Sequence, residues 1–400
     1  MAVEKKVLTG TITGSGSTDF TSPGFGTPDA AIVFFSLANT ANNPATTARI
    51  SIGFWDGTTQ YCVGSEAADN QTSSNTSGVS AAYVGALFSD RAWSISNITD
   101  GVRISWVSGA ALSVSLYVTV ILLGGLTNKK VGSVDLGSST SAINVTAPGF
   151  PANLVFLATI AKDGAGTRDG QRLSFGAAHI NSSGAVSQGS VALYSEDALA
   201  DTKSGCYVND SAAITGAAND GVGWQQTVTA NASGFTLTPS ASAAGVDGYY
   251  LAIQLPDPNK AHVAIDDART SAGTEAYTGA GFTPEVLILV AGLASAVDTI
   301  TQAGSFMLGA GDATTERCVV VCDEDAQAVS DTESYCEAGS ILHLRNDAGT
   351  ANAVATIDSF DADGWTLNYS DGASSAWKML AIAIGDSRRK AINLGLLGVT

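Results

Sequence analysis

Thr278-Gly279-Ala280-Gly281-Phe282-Thr283-Pro284-Glu285-Val286-Leu287-Ile288-Leu289 leads from a turn into an apolar run, and the same phrase stands twice more upstream. Its counterparts are Pro23-Gly24-Phe25, with Pro28 and the run Ala30 to Leu37, and Pro148-Gly149-Phe150, with Pro151 and the run Leu154 to Ala158. The glycine before each aromatic suits a positive φ that turns the chain and lets the Phe drop into a core. The Pro marks a strand entrance, where no backbone donor is required. A second landmark follows roughly 80 residues on: Asp100-Gly101-Val102, Ser233-Gly234-Phe235 and Asp363-Gly364-Trp365. A third lies sixteen positions after those glycines, at Tyr117, Tyr250 and Leu380. Three cores of one kind in tandem predict a modular, extended protein rather than one compact enzyme.

Each copy opens on an alternating segment (Val7 to Thr13, Val131 to Leu136, His262 to Ile265), 17 to 19 residues before its landmark glycine. Further strands are predicted at Ile50 to Trp55, Leu173 to Gly176 and Phe306 to Gly309. Period-two alternation after the second landmark places one side chain in the core and the next in solvent. The closing runs, Leu116 to Leu123, Tyr249 to Leu255 and Trp377 to Ile384, are continuously apolar, as central strands covered on both faces would be. The expected fold is all-β: three tandem β-sandwich, jelly-roll-like modules of about 130 residues. Their boundaries fall at 1–126, 127–256 and 257–386, joined by short linkers that favour a fixed arrangement. Residues 387–400 form a tail, with Arg388-Arg389-Lys390 preceding the apolar Ile392 to Leu397, and are a candidate docking strand.

Composition narrows the function. Only 14% of residues are charged, so the polar surface is built mainly from hydroxyls and amides, which suits strands and turns. The net charge of −18 argues against binding nucleic acid through its phosphates. The third module carries most of that imbalance, with 20 acidic against 5 basic residues from Asp257 to Asp386. Met1-Ala2-Val3-Glu4-Lys5-Lys6 is not followed by an apolar stretch, so cytosolic synthesis without a secretory signal is expected. The longest apolar runs, Leu116 to Leu123 and Val286 to Val297, are too short for membrane insertion as helices.

Chemistry is weakly written. His179, His262 and His343 occupy different repeat positions without companions at metal-ligand or triad spacing. Cys62 and Cys318 sit in matching contexts, Thr58-Thr59-Gln60-Tyr61-Cys62 and Thr314-Thr315-Glu316-Arg317-Cys318. Cys206 and Cys336 each lie 28 residues before their module's turn glycine. These thiols and Cys322 are read as buried, as a disulfide of Cys318 or Cys322 with Cys336, or as an incomplete zinc set. Two acidic groups invite a calcium reading: Asp323-Glu324-Asp325 with Asp331, Glu333 and Glu337, and Asp358, Asp361 and Asp363 before Gly364. The second lacks the closing bidentate Glu, and the two are read first as a solvated loop and a hairpin turn. Trp55 beside Asp56-Gly57 is a candidate to stack on a sugar. No catalytic set, cofactor or metal site is assigned, and a hydrolase ranks third because nothing fixes two carboxylates at a glycosidase separation.

The Gly-Phe-x-Pro landmark leading into a Val/Ile/Leu strand resembles the repeats of tail-fibre and other virion appendage proteins of tailed bacteriophages. Three copies cover nearly the whole chain, without the long aromatic-basic segment that usually follows, and no binding residue is carried over. The resemblance implies assembly into a particle. The expectation is a non-enzymatic structural virion protein, a head or tail decoration or short fibre, partnered by other virion proteins and by copies of itself as a homo-oligomer. The alternative is a carbohydrate-binding adhesin on the virion surface that recognises a host glycan.

Overall fold

The computed structural model describes residues 4–387, apart from 13–14, 37–44, 46, 69, 72–75, 88–90, 110–115, 137–139, 162–165, 197–201, 219–220, 242–245, 303 and 347–349. Of the tail 387–400 expected as a docking strand, Ser387 is described and buried, and 388–400 lies outside the described residues.

The first module runs β1 (Lys5–Ile12), β2 (Ser17–Thr21), β3 (Ala30–Ser36), β4 (Thr47–Trp55), β5 (Gln60–Ala68), β6 (Thr76–Ser80), β7 (Gly85–Leu87), β8 (Arg91–Ile98), β9 (Gly101–Ser108) and β10 (Leu116–Leu123). A six-stranded antiparallel sheet, β1-β10-β3-β4-β5-β6, faces a four-stranded one, β2-β9-β8-β7. First strand pairs with last and second with penultimate, which is the jelly-roll-like wrap. The second module (β11–β21, between Asn128 and Gln254) and the third (β22–β32, between Ala261 and Gly385) repeat this wiring strand for strand. The protein is all-β, three sandwiches of one topology.

Both sequence landmarks meet at one corner of each sandwich. Gly24, Gly149 and Gly281 have φ of +83, +77 and +76°, the left-handed turn that a side chain would strain. A Cβ on Gly101, Gly234 or Gly364 would lie within 2.0 Å of the carbonyl oxygen of Phe20, Val145 or Tyr277, so the strand launched there can pack only as glycine. Asp100 and Asp363 clamp the two turns together, accepting from Gly26 N at 2.9 Å and Gly281 N at 2.6 Å. The third landmark does not hold its place. Measured from the Val7–Ile121 and Val131–Leu251 pairs, Tyr117 lies four positions earlier and Tyr250 only one. The shared spacing of sixteen therefore does not mark one register position along β10 and β21.

The modules are not extended along a line; they close on one another. Between its third and fourth main strands, each module sends a segment to the free edge of another's large sheet. β14 (Gly166–Asp169) of module two pairs with β6 of module one. β25 (Thr301–Gln302) of module three pairs with β17 (Ser204–Asn209) of module two. Ala45 of module one bridges Ser334 on β28 (Thr332–Ala338) of module three, with both backbone bonds at 2.9 Å. One to two, two to three and three to one complete a pseudo-threefold circuit. The pairing sites coincide, at Ser77, Cys206 and Ser334, three positions before the residues opposite Cys62, Ser190 and Cys318.

Burial explains the circuit. Along β3, Ala31, Val33 and Phe35 face their own sandwich core, while Ala30, Ile32 and Phe34 enter a cluster drawn from all three modules. Along β13 (Leu154–Thr159), Val155 and Leu157 face inward to module two, and Leu154, Phe156 and Ala158 enter the same shared cluster. The continuously apolar strands are thus covered on one side by their own small sheet and on the other by neighbouring modules. Phe175 sits in this shared core with its ring centroid 6.2–6.3 Å from Phe34, Phe54 and Phe156. Val107 is the single large hydrophobic side chain found exposed among the described residues.

Because one core serves three modules, Phe175→Ala is expected to cost about 3–5 kcal/mol and to lower the stability of the whole chain. Calorimetry should record one cooperative transition in both proteins; three separable transitions, with only the middle one shifted, would refute the shared core.

Candidate functional site

The seams between modules hold the most organised polar chemistry in the molecule, and the hairpin after β4 builds the first element. Asp56 Oδ1 accepts from Thr58 N (3.0 Å), Thr58 Oγ1 (3.0 Å) and Thr59 N (2.7 Å), closing the turn. Its Oδ2 accepts from Val131 N on β11 (Asn128–Asp135), the first strand of module two, at 2.8 Å. Asp312 repeats this in module three: Oδ1 takes Thr314 N, Thr314 Oγ1 and Thr315 N at 2.8–3.0 Å, and Oδ2 takes Val7 N of module one at 2.8 Å. Lys6 Nζ adds an ion pair to Asp312 at 3.0 Å. One oxygen folds the hairpin and the other ties down the next module. The middle seam uses other groups, with His179 Nε2 bonded to Pro258 O at 2.6 Å and Ser182 to Asn259 Oδ1. At the closing seam, fully buried Lys5 pairs with Glu4 at 2.8 Å and reaches Ser387 at 3.3 Å.

A second set ties the two sheets of each sandwich together. Gln60 Oε1 accepts from Ile95 N at 3.0 Å, Gln188 Oε1 from Val228 N at 2.7 Å, and Glu316 Oε2 from Ile357 N at 2.9 Å. The same position is amide, amide and carboxyl. Partial burial pushes the Glu316 carboxyl up to about 7, partly opposed by the backbone donors of Ile357 and Ile341.

The next position along the same strand plugs each seam differently. Tyr61 packs on Tyr249 of module two, with ring centroids 5.2 Å apart. Gly189 leaves room for Ile265 and Leu380 of module three, whose Cδ1 atoms lie 2.9 and 3.0 Å from where its Cβ would be. Arg317 lies over Tyr117 of module one at 5.0 Å and donates from Nη1 to Gly10 O at 3.0 Å. Beside Arg317 this third seam opens into a cleft of about 680 Å³, lined by Thr9 of module one and by Thr314, Glu316, Asp358 and Phe360 of module three, among others.

The residues singled out in the sequence are dispersed. Trp55 is 2% exposed within the first sandwich core, so it has no face to offer a sugar. All five cysteines are free and buried, and burial pushes the Cys62 and Cys206 thiols up to about 12. Cys62 and Cys318 share a register position, two residues beyond Gln60 and Glu316. Cys206 and Cys336 do not: Cys206 is three residues before the partner of Ser190, and Cys336 one before the partner of Cys318. Cys336 pairs with Val319, so strand alternation sets it on the opposite face from Cys318 and Cys322, and the disulfide reading fails on geometry.

The acidic groups have structural work. Asp323 accepts from Ser195, Asp325 from Ser204 N at 2.8 Å, and Glu333 pairs with Arg345 at 3.3 Å. Asp361 accepts from Ser359 and Thr366, and Asp363 holds Gly281. Among the described residues no three His, Cys, Asp or Glu side chains gather as metal ligands would. His343 is buried between Tyr335 and Arg345, and burial together with the Arg345 charge lowers it to about 4. Burial likewise lowers His179 and His262.

Sequence reasoning missed the Asp56 and Asp312 clamps, although the signal was present: each stands two residues before the Thr-Thr pair that aligned Cys62 with Cys318.

Glu316→Gln retains the acceptor that Gln60 and Gln188 supply and removes the ionisation. The folded carboxyl titrates near 7 against an ordinary 4.5, so its contribution is complete below about 4.5 and is lost as pH rises through about 7. Wild type and variant should match at pH 4, with the variant more stable by roughly 1–2 kcal/mol above pH 8, a figure reduced for partial exposure. Urea unfolding across that range measures it; parallel stability profiles would contradict this role.

No family model, curated protein or solved structure matches this chain.

Proposed function

We propose that the chain is a non-enzymatic structural component of a bacteriophage virion, a head or tail decoration or a short fibre, that docks on other virion proteins and on copies of itself. The observation that carries this reading is the closed circuit of three like sandwiches. One edge of each large sheet, which would otherwise invite uncontrolled pairing, is spent inside the chain, and the apolar faces are spent in a shared core. What remains outward is hydroxyl-rich, acidic and almost free of large exposed hydrophobics among the described residues. Such a body presents a fixed shape and resists local opening, which serves a particle component better than an enzyme needing a mobile cleft. The tandem Gly-Phe-x-Pro resemblance supplies the particle.

Its contacts with neighbours fall on the outward small sheets and loops, because the large sheets are occupied. The test is to express the chain with a phage lysate prepared from its own genomic setting and to follow it by sedimentation and light scattering. Co-sedimentation with particles in a fixed stoichiometry is expected. A chain that stays monomeric and never accompanies particles would overturn the reading.

A further inference from the structure

The three seams share one pattern of edge-strand exchange but differ in the side chains that fill them, and that difference is informative. At equivalent positions, seam one is filled by Tyr61 and Tyr249, and seam two by Ile265 and Leu380 against Gly189. Seam three places a guanidinium there, and beside it lies the cleft of about 680 Å³, within the range of small-molecule sites. Packing alone would have favoured filling it, as the other two are filled.

We propose that this cleft, between module three and the first strand of module one, binds the neutral hexose or N-acetylhexosamine end of a glycan. A sugar needs donors and acceptors close together, with an apolar surface for its C–H face. Thr9 supplies a hydroxyl that serves in both senses, and Asp358 supplies a strong acceptor. Arg317 commits Nη1 to Gly10 O and buries its Nε, which leaves Nη2 to donate to a ring or hydroxyl oxygen. Half-buried Phe360 lines the same cleft and offers an aromatic surface. Asp312 is paired with Lys6, but Asp358 stands exposed at the cleft and the third module is strongly acidic, so sialylated and uronic-acid ends are disfavoured.

This assignment stands apart from the assembly reading, since a chain could bind sugar without joining a particle, or the reverse. The probe is an array of oligosaccharides ending in glucose, galactose, N-acetylglucosamine or N-acetylgalactosamine, with sialylated versions alongside. Saturable retention of at least one neutral end is expected, with its sialylated form bound at least about tenfold more weakly. Titration of that glycan should show about tenfold weaker binding by Asp358→Ala, the loss of one charge-assisted hydrogen bond, and no binding by Thr9→Trp, which fills the cleft. Thermal midpoints confirm that each variant is folded; if Thr9→Trp is not, exposed Asp358→Ala decides alone. Retention of no neutral glycan at millimolar concentration, or binding unchanged in the folded variants, overturns the assignment.

Discussion

The structure depends on one constraint: the six-stranded sheets are apolar on both faces, and a single sandwich can cover only one of them. The small sheet shields Ala31, Val33 and Phe35, but nothing in module one can shield Ala30, Ile32 and Phe34. At about 25 cal/mol per Å² of apolar surface, leaving three such faces in water would cost more than a domain's usual net stability. The three faces therefore bury one another. From that follow the shared cluster, the traded edge strands and the clamps that hold first strands to the neighbouring hairpin. Modules of this kind are units of topology and not units of folding.

The clamps show how direction enters an otherwise non-directional collapse. Apolar faces would tolerate several relative rotations, since burial alone specifies no register. Asp56 and Asp312 each fix a backbone N–H of the next module while folding their own hairpin, so seam geometry and hairpin geometry are decided together. A shift of one residue would strand a carboxylate oxygen and a buried N–H, each costing about 1–3 kcal/mol. The Ser77, Cys206 and Ser334 pairings fix the opposite edge of each large sheet in the same way.

Much of the fold was legible because the copies repeat features that a backbone cannot evade. A glycine beneath a carbonyl oxygen and a glycine in a left-handed turn leave a mark whatever surrounds them, so Gly101, Gly234 and Gly364 registered correctly. Tyr117, Tyr250 and Leu380 did not, because a spacing counted across the connection between two strands carries no register. The apolar closing strands correctly announced cover on both faces, yet period and composition say nothing about which body provides it. Closure was missed for that reason. The candidate site was less legible still. Trp55 drew notice by standing near a turn, but its strand alternation places it in the core. Glu316, Arg317 and Asp358 become neighbours of Thr9 only when residues three hundred positions apart are brought to one seam.

Joining three copies in one chain has a chemical consequence that a homotrimer could not reach. Identical subunits must use identical seams, so a favourable change at one appears at all three. Short covalent linkers (124–127 and 255–260) keep the modules at high effective concentration and allow each seam to change separately. The record of that freedom is one position read as Tyr61, Gly189 and Arg317, and its neighbour read as Gln60, Gln188 and Glu316. Two seams are filled by apolar or aromatic side chains, Tyr61 on Tyr249 and Ile265 with Leu380 against Gly189. The third, held by the Asp312 clamp, carries Arg317 and an open cleft that no symmetric assembly of this module could confine to one place.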